Sequence, residues 1–111
     1  MKATVRRSGD IPIVDLAGRI VLGEGDAEMR QAIEDLLTEG HRGVLVDLRK
    51  VTFMDSTGLG QLASAHIRAA KNGAALKLIK PNTKVLDLFT ITRLNLLFEI
   101  FEDEKQAIAS F

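Results

Sequence analysis

Val44-Leu45-Val46 places apolar side chains on consecutive positions. Successive side chains of a strand point to opposite faces, so a strand of this kind must be covered on both. A sheet with two covered faces needs helices packed against it, which restricts the chain to layered α/β architectures.

The segments around that run fit the restriction. Val5, Ile11, Ile13, Val14 and Leu16 supply the apolar positions of a hairpin that turns at Ser8-Gly9-Asp10. Gly18 permits a bend before Ile20-Val21-Leu22, and Gly23-Glu24-Gly25 ends the pattern. Asp26 is expected to cap a helix reaching about Glu39, because its carboxylate can accept orphan backbone N–H groups. Met29, Ile33, Leu36 and Leu37 fall on one face of that helix, and Gly40 closes it. After the apolar strand, Asp47 to Thr52 reads as a connection, with Val51, Phe53 and Met54 as its buried part. A helix is expected from Asp55 or Ser56 to about Asn72, with Leu59, Leu62, Ala63, His66, Ile67 and Ala70 on one side. Ala75 to Ile79 is the next strand, followed by a short helix over about Thr83 to Thr90 with Val85, Leu88 and Phe89 inward. Phe98 to Phe101 reads as the last strand. Glu102-Asp103-Glu104 supplies acids to the first turn of a final helix, as its dipole favours. The apolar positions between Leu86 and Phe101 are expected in the core.

The order β-β-α-β-α-β-α-β-α implies crossover units: a mostly parallel, mixed sheet with an antiparallel N-terminal hairpin and about four helices. With 111 residues and no linker or repeat, residues 1–111 are expected to form one domain. Lys plus Arg and Asp plus Glu are 15 each, and this balance argues against a general nucleic-acid binder. The zero is a cancellation along the chain. Glu24 to Glu39 holds six acids against Arg30, and Ser56 to Leu86 holds five basic residues (Arg68, Lys71, Lys77, Lys80, Lys84) with no acid. The chain has no Cys, which excludes a disulfide scaffold, a thiol nucleophile and Cys-ligated metal. No segment approaches the ~20 apolar residues of a membrane span. Met1-Lys2-Ala3-Thr4-Val5-Arg6-Arg7 has no apolar stretch of the secretory kind, so a cytoplasmic protein without membrane contact is expected.

The densest signal is Phe53-Met54-Asp55-Ser56-Thr57-Gly58-Leu59-Gly60, just past the central strand and at a helix start. In open α/β sheets ligands and partners meet the domain there. Asp55, Ser56 and Thr57 present a carboxylate and two hydroxyls. Gly58 and Gly60 each weaken the helix by roughly 1 kcal/mol relative to Ala, so close approach by another backbone or a nucleotide is expected to offset them. The competing reading is an ordinary capped helix start with glycines for tight packing.

These residues resemble a family. The run FMDSTGLG is similar to the signature of the anti-sigma factor antagonists, small proteins with a STAS (sulphate transporter and anti-sigma antagonist) fold. VLVDLRKVTF before it and LFTITRLNLLFEIF after it resemble that family's central strand, third helix and last strand. The resemblance implies that Ser56 is a phosphorylated serine, with Thr57 the alternative. It further implies a partner surface over Asp55, Ser56, Thr57, Gly58, Leu59 and Gly60. The implied partners are an anti-sigma factor serine/threonine kinase, bound in the unphosphorylated form so that the sigma factor is released, and a metal-dependent serine phosphatase. The implied role is a switch without catalysis or cofactor, acting as a monomer, with a weak dimer as the other state. One departure stands out: many members carry Gly-Glu-x-Asp where this chain has Gly18-Arg19-Ile20-Val21.

Other functions fit less well. Ser56 lacks the Gly-x-Ser-x-Gly elbow of a hydrolase, and His66 lies ten residues on, ~15 Å along a helix axis. His66 is expected to be a packed structural residue and His41 a solvated one. The acid cluster of a phospho-acceptor receiver is missing, and Asp47 reads as an anchoring acid at a strand end. A weak nucleotide-binding module is one alternative, although Gly-x-x-x-x-Gly-Lys and Gly-x-Gly-x-x-Gly are absent. A STAS adaptor of a stress-sensing or transport complex is the other.

Overall fold

The computed structural model describes residues 1–111. Two strands, β1 (Lys2–Ser8) and β2 (Ile11–Ile20), form the antiparallel hairpin, in register from Lys2↔Ala17 to Ser8↔Ile11. Gly9 takes the left-handed turn conformation at φ 60°. The chain continues as α1 (Asp26–Thr38), β3 (Gly43–Met54), α2 (Ser56–Lys71), β4 (Ala75–Ile79) and α3 (Thr83–Ile91). A 3-10 turn (Leu94–Leu96), β5 (Ile100–Phe101) and α4 (Glu104–Ala109) complete it. The five strands lie side by side in sequence order, and every pair after the hairpin is parallel.

That order dictates where the helices go. Successive right-handed crossovers advancing in one direction stack their helices on one face of a sheet. Accordingly the main core joins Val14, Leu16, Val44, Val46 and Leu78 of the sheet with Met29 and Ile33 of α1, Leu62 of α2 and Phe89 of α3. On the opposite face only α4 packs, through Ala107 onto Ile13, Leu45 and Ile79. Val44, Leu45 and Val46 are all fully buried, so both faces are covered at that point, as their sequence implies.

Several expectations are corrected. Asp47 to Thr52 is not a connection: β3 runs through to Met54, and β2 follows it from Ala17↔Lys50 to Ile20↔Met54, with register shifts before Ala17 and between Gly18 and Arg19. Beyond Leu48 the strand is buried only at Val51 and Met54, while Arg49, Lys50, Thr52 and Phe53 are exposed, Phe53 at 49%. Asp26 does not cap α1. The cap is Gly25 at φ 88°, while Asp26 turns back to accept from the Gly23 amide at 3.1 Å. On α2 the buried residues are Leu59, Leu62, Ala65 and Ala69, whereas Ile67 and Ala70 face out. The last strand starts at Ile100, not Phe98, and Ile91, Leu96 and Leu97 lie on the surface instead of in the core.

Candidate functional site

The expected site lies where β3 gives way to α2, and one residue organises it. Asp55 has extended backbone, so it is the N-cap of α2, and its Oδ1 accepts from the Gly58 amide at 2.9 Å. Its Oδ2 accepts from the Leu22 amide at 3.0 Å, and its own amide donates to the Ile20 carbonyl at 3.2 Å. The same carboxylate therefore caps the helix and ties the turn after β2 to it. The Gly58 amide, then that of Leu22, hold its pKa below the ordinary carboxylate value.

The glycines divide by function. A Cβ on Gly58 would lie 2.5 Å from the Ile20 carbonyl oxygen and 2.8 Å from Ile20 Cγ2, so the close approach is to the chain's own backbone. Gly58 and Leu59 are buried and face inward, which removes their side positions from any contact strip. Gly60 is exposed with nothing within 4 Å of an added Cβ. Ser56, the first residue of α2, is exposed, and Thr57 is half-buried beside it. Of the motif, Asp55, Ser56, Thr57 and Gly60 remain at the surface.

Residues that the sequence reading did not assign to the site flank it. Leu22 is 73% exposed in the turn that Asp55 holds, and Phe53, 49% exposed, stands out near the end of β3. The signal for Leu22 was its place between an apolar run and the Gly23-Glu24-Gly25 turn, where a strand interior was no longer available. Arg19, paired with Phe53 in the sheet register, lies with its guanidinium 5.7 Å from the Phe53 ring centre. A recess of about 190 Å³ opens alongside, lined by Phe53, Met54, Lys84, Val85 and Leu88.

Chemically, the site offers an exposed hydroxyl at a helix N-terminus. His66 is engaged elsewhere, with Nδ1 3.4 Å from the Leu76 carbonyl oxygen and its ring edge-on to Phe98 at 5.1 Å. Asp47 is a buried residue inside β3, accepting from the Arg49 amide at 2.9 Å and from Arg6 at 3.1 Å. No helix is long and apolar enough to cross a membrane.

The STAS domain profile matches residues 2–107. The chain belongs to the STAS domain family. Within it, this STAS domain groups with the anti-sigma factor antagonists: it is 32% identical over 84 residues to the anti-sigma-B factor antagonist of Staphylococcus aureus, covering 72% of this chain and 78% of that one. Two solved structures share the fold. An anti-sigma factor antagonist from Mycobacterium paratuberculosis superposes with a TM-score of 0.84 at 20% identity, over 98% of this STAS domain and 92% of that chain. The Bacillus cell-fate determinant SpoIIAA in its phosphorylated form gives 0.74 at 16% identity, over 98% of each chain.

Proposed function

We propose that residues 1–111 work as one STAS domain, an anti-sigma factor antagonist whose binding is gated by phosphorylation of Ser56. Unphosphorylated, it binds an anti-sigma factor serine/threonine kinase and so frees the sigma factor; a metal-dependent serine phosphatase restores that form. The domain itself catalyses nothing and acts in the cytoplasm. One observation carries this reading: the Ser56 hydroxyl stands exposed at the first residue of α2, while its neighbours Asp55 and Gly58 are locked into the fold. That SpoIIAA is described in both phosphorylated and unphosphorylated forms supports it. Thr57, half-buried, is the alternative acceptor.

A phosphate adds about −1.5 to −2 charges and strong acceptor oxygens at neutral pH. At a helix N-terminus the fold tolerates it, since free N–H groups and the dipole favour an anion. A partner packed over Ser56 and Gly60 must instead desolvate the dianion beside the Asp55 carboxylate. An unpaired buried charge costs several kcal/mol, and about 4 kcal/mol weakens binding nearly a thousandfold. Calorimetric titration of the cognate kinase should therefore find Ser56→Ala near wild type and Ser56→Asp without measurable binding. Equal affinities for the two variants would refute the gate.

A further inference from the structure

The recess between the end of β3 and α3 has walls of one chemistry and a lip of another. Four of its five lining residues (Phe53, Met54, Val85, Leu88) are apolar. Met54 and Val85 are almost fully buried and form its floor, whereas Phe53 is 49% exposed. Its about 190 Å³ is the scale of one large apolar side chain, not of a cofactor, given that ligand pockets run to about 300–1,000 Å³.

The one charged residue lining the recess is Lys84, and a second cation, Arg19, lies on the Phe53 ring. Lys84 lines the opening and forms no ion pair with any carboxylate of the chain. Arg19 lies against the Phe53 ring, and its one carboxylate neighbour, Glu24, is 4.0 Å away at the solvent-exposed limit of pairing. Neither Arg19 nor Asp87, the acid of α3, lines the recess itself; Arg19 reaches it through its place on the Phe53 ring.

We infer that this recess takes one apolar side chain from an acidic segment of the partner protein, with Lys84 and Arg19 meeting the carboxylates on either side of it. Charged groups arranged this way set the choice of partner and the rate of encounter more than raw affinity. A basic segment carrying the same apolar residue would meet two cations at the lip and be rejected. The inference rests on the gated-binding reading above and adds a cause to it. Met54 on the recess floor is two residues from Ser56, so a phosphate there would set a dianion against a partner segment of the same sign.

The test uses the ¹⁵N-labelled full chain and three capped peptides: Glu-Asp-Leu-Phe-Glu-Asp, Lys-Arg-Leu-Phe-Lys-Arg and Glu-Asp-Ser-Gly-Glu-Asp. The first should shift the amides of Phe53, Met54, Val85 and Leu88 saturably, and the other two should not. Lys84→Glu, a change at an exposed residue that should leave amides away from the recess in place, should weaken the first peptide about tenfold or more. Shifts absent at millimolar peptide, equal binding of the basic peptide, or shifts centred elsewhere would overturn the inference. So would concentration-dependent shifts at the same amides without peptide, which would assign the recess to a second copy. If the peptide fails while the kinase still separates Ser56→Ala from Ser56→Asp, the recess assignment falls and the gate stands. If the kinase ignores Ser56 but the peptide binds as described, the gate falls and the recess stands.

Discussion

At Gly58 an added methyl would meet a backbone oxygen at 2.5 Å, and at Gly60, two residues further along the same helix, it would meet nothing within 4 Å. The Ile20 carbonyl cannot yield easily, since it also accepts from the Asp55 amide. Gly58→Ala should therefore cost about 1–3 kcal/mol as an overpacked core site does. Gly60→Ala should instead stabilise by about 0.5–1 kcal/mol, as Ala replaces Gly in an exposed helical turn. Urea unfolding of the two variants checks both signs; equal destabilisation would mean that Gly60 also makes an internal contact. The sequence shows two glycines in one motif and a reason for close approach, but not what approaches which. That depends on Ile20, 38 residues before Gly58, arriving by strand pairing with Met54. Asp55 is similar: its position before a helix marks it as a cap, but its second bond, to Leu22, depends on tertiary structure. Because its pKa is lowered on folding, its contribution is present above the ordinary carboxylate pKa of about 4 and is lost as pH falls through the lowered value.

At the scale of elements, α4 is a six-residue helix alone on its face of the sheet. Arg6 clasps it. Its Nε donates to Asp15 at 2.8 Å, and its Nη2 donates to Asp47 at 3.1 Å and to Glu104 at 2.6 Å, joining β1, β2, β3 and α4. The hydrogen bond to Glu104 contributes most to holding the Arg6 pKa above its ordinary value, and Arg6 in turn lowers that of Glu104. Removing the guanidinium leaves Asp47, whose side chain is 5% exposed, with only the Arg49 guanidinium at 4.0 Å as counterion. Arg6→Leu should cost about 3 kcal/mol at pH 7, the low end for breaking a buried pair because Arg6 is itself partly solvated. Glu104→Gln, at the surface end, should cost about 1 kcal/mol or less. Glu104 has a lowered folded pKa, so its contribution exists above the unfolded value near 4.3 and fades as pH falls through the folded one. The stability gap between wild type and Glu104→Gln should thus close in acid; a gap constant from pH 7 to about 3 would show that packing, not charge, holds α4. Element order and type were legible because helices and strands here carry distinct apolar periods. The extent of β3 was not, since Arg49-Lys50 interrupts the apolar pattern where α4 stops covering the strand, and the hydrogen-bonding partner that keeps it a strand is the far end of β2.

Over the whole molecule, sequential strand order puts α1, α2 and α3 on one face and leaves the ends of parallel strands free, with the start of α2 at the end of β3. The scaffold is thus complete without the Ser56 side chain. Ser56 makes no hydrogen bond that the core depends on, and the α2 cap is supplied by Asp55. A charge added at Ser56 acts on a molecule whose fold does not need that side chain and whose formal net charge is zero. Its effect on stability should be small and favourable, about 0.3–1 kcal/mol from the helix dipole. The adjacent Asp55 carboxylate works against that gain. Ser56→Asp should therefore melt within a degree or two of wild type and keep its amide spectrum outside the first turn of α2, in the same protein preparation that has lost the kinase. A drop of about 10 °C, which for a chain this size is on the order of 2 kcal/mol, would mean that loss of binding reports unfolding rather than a change of surface. With stability unchanged, a loss of affinity in Ser56→Asp would belong to the interface alone, as the proposed gate requires: a change in what the partner must desolvate.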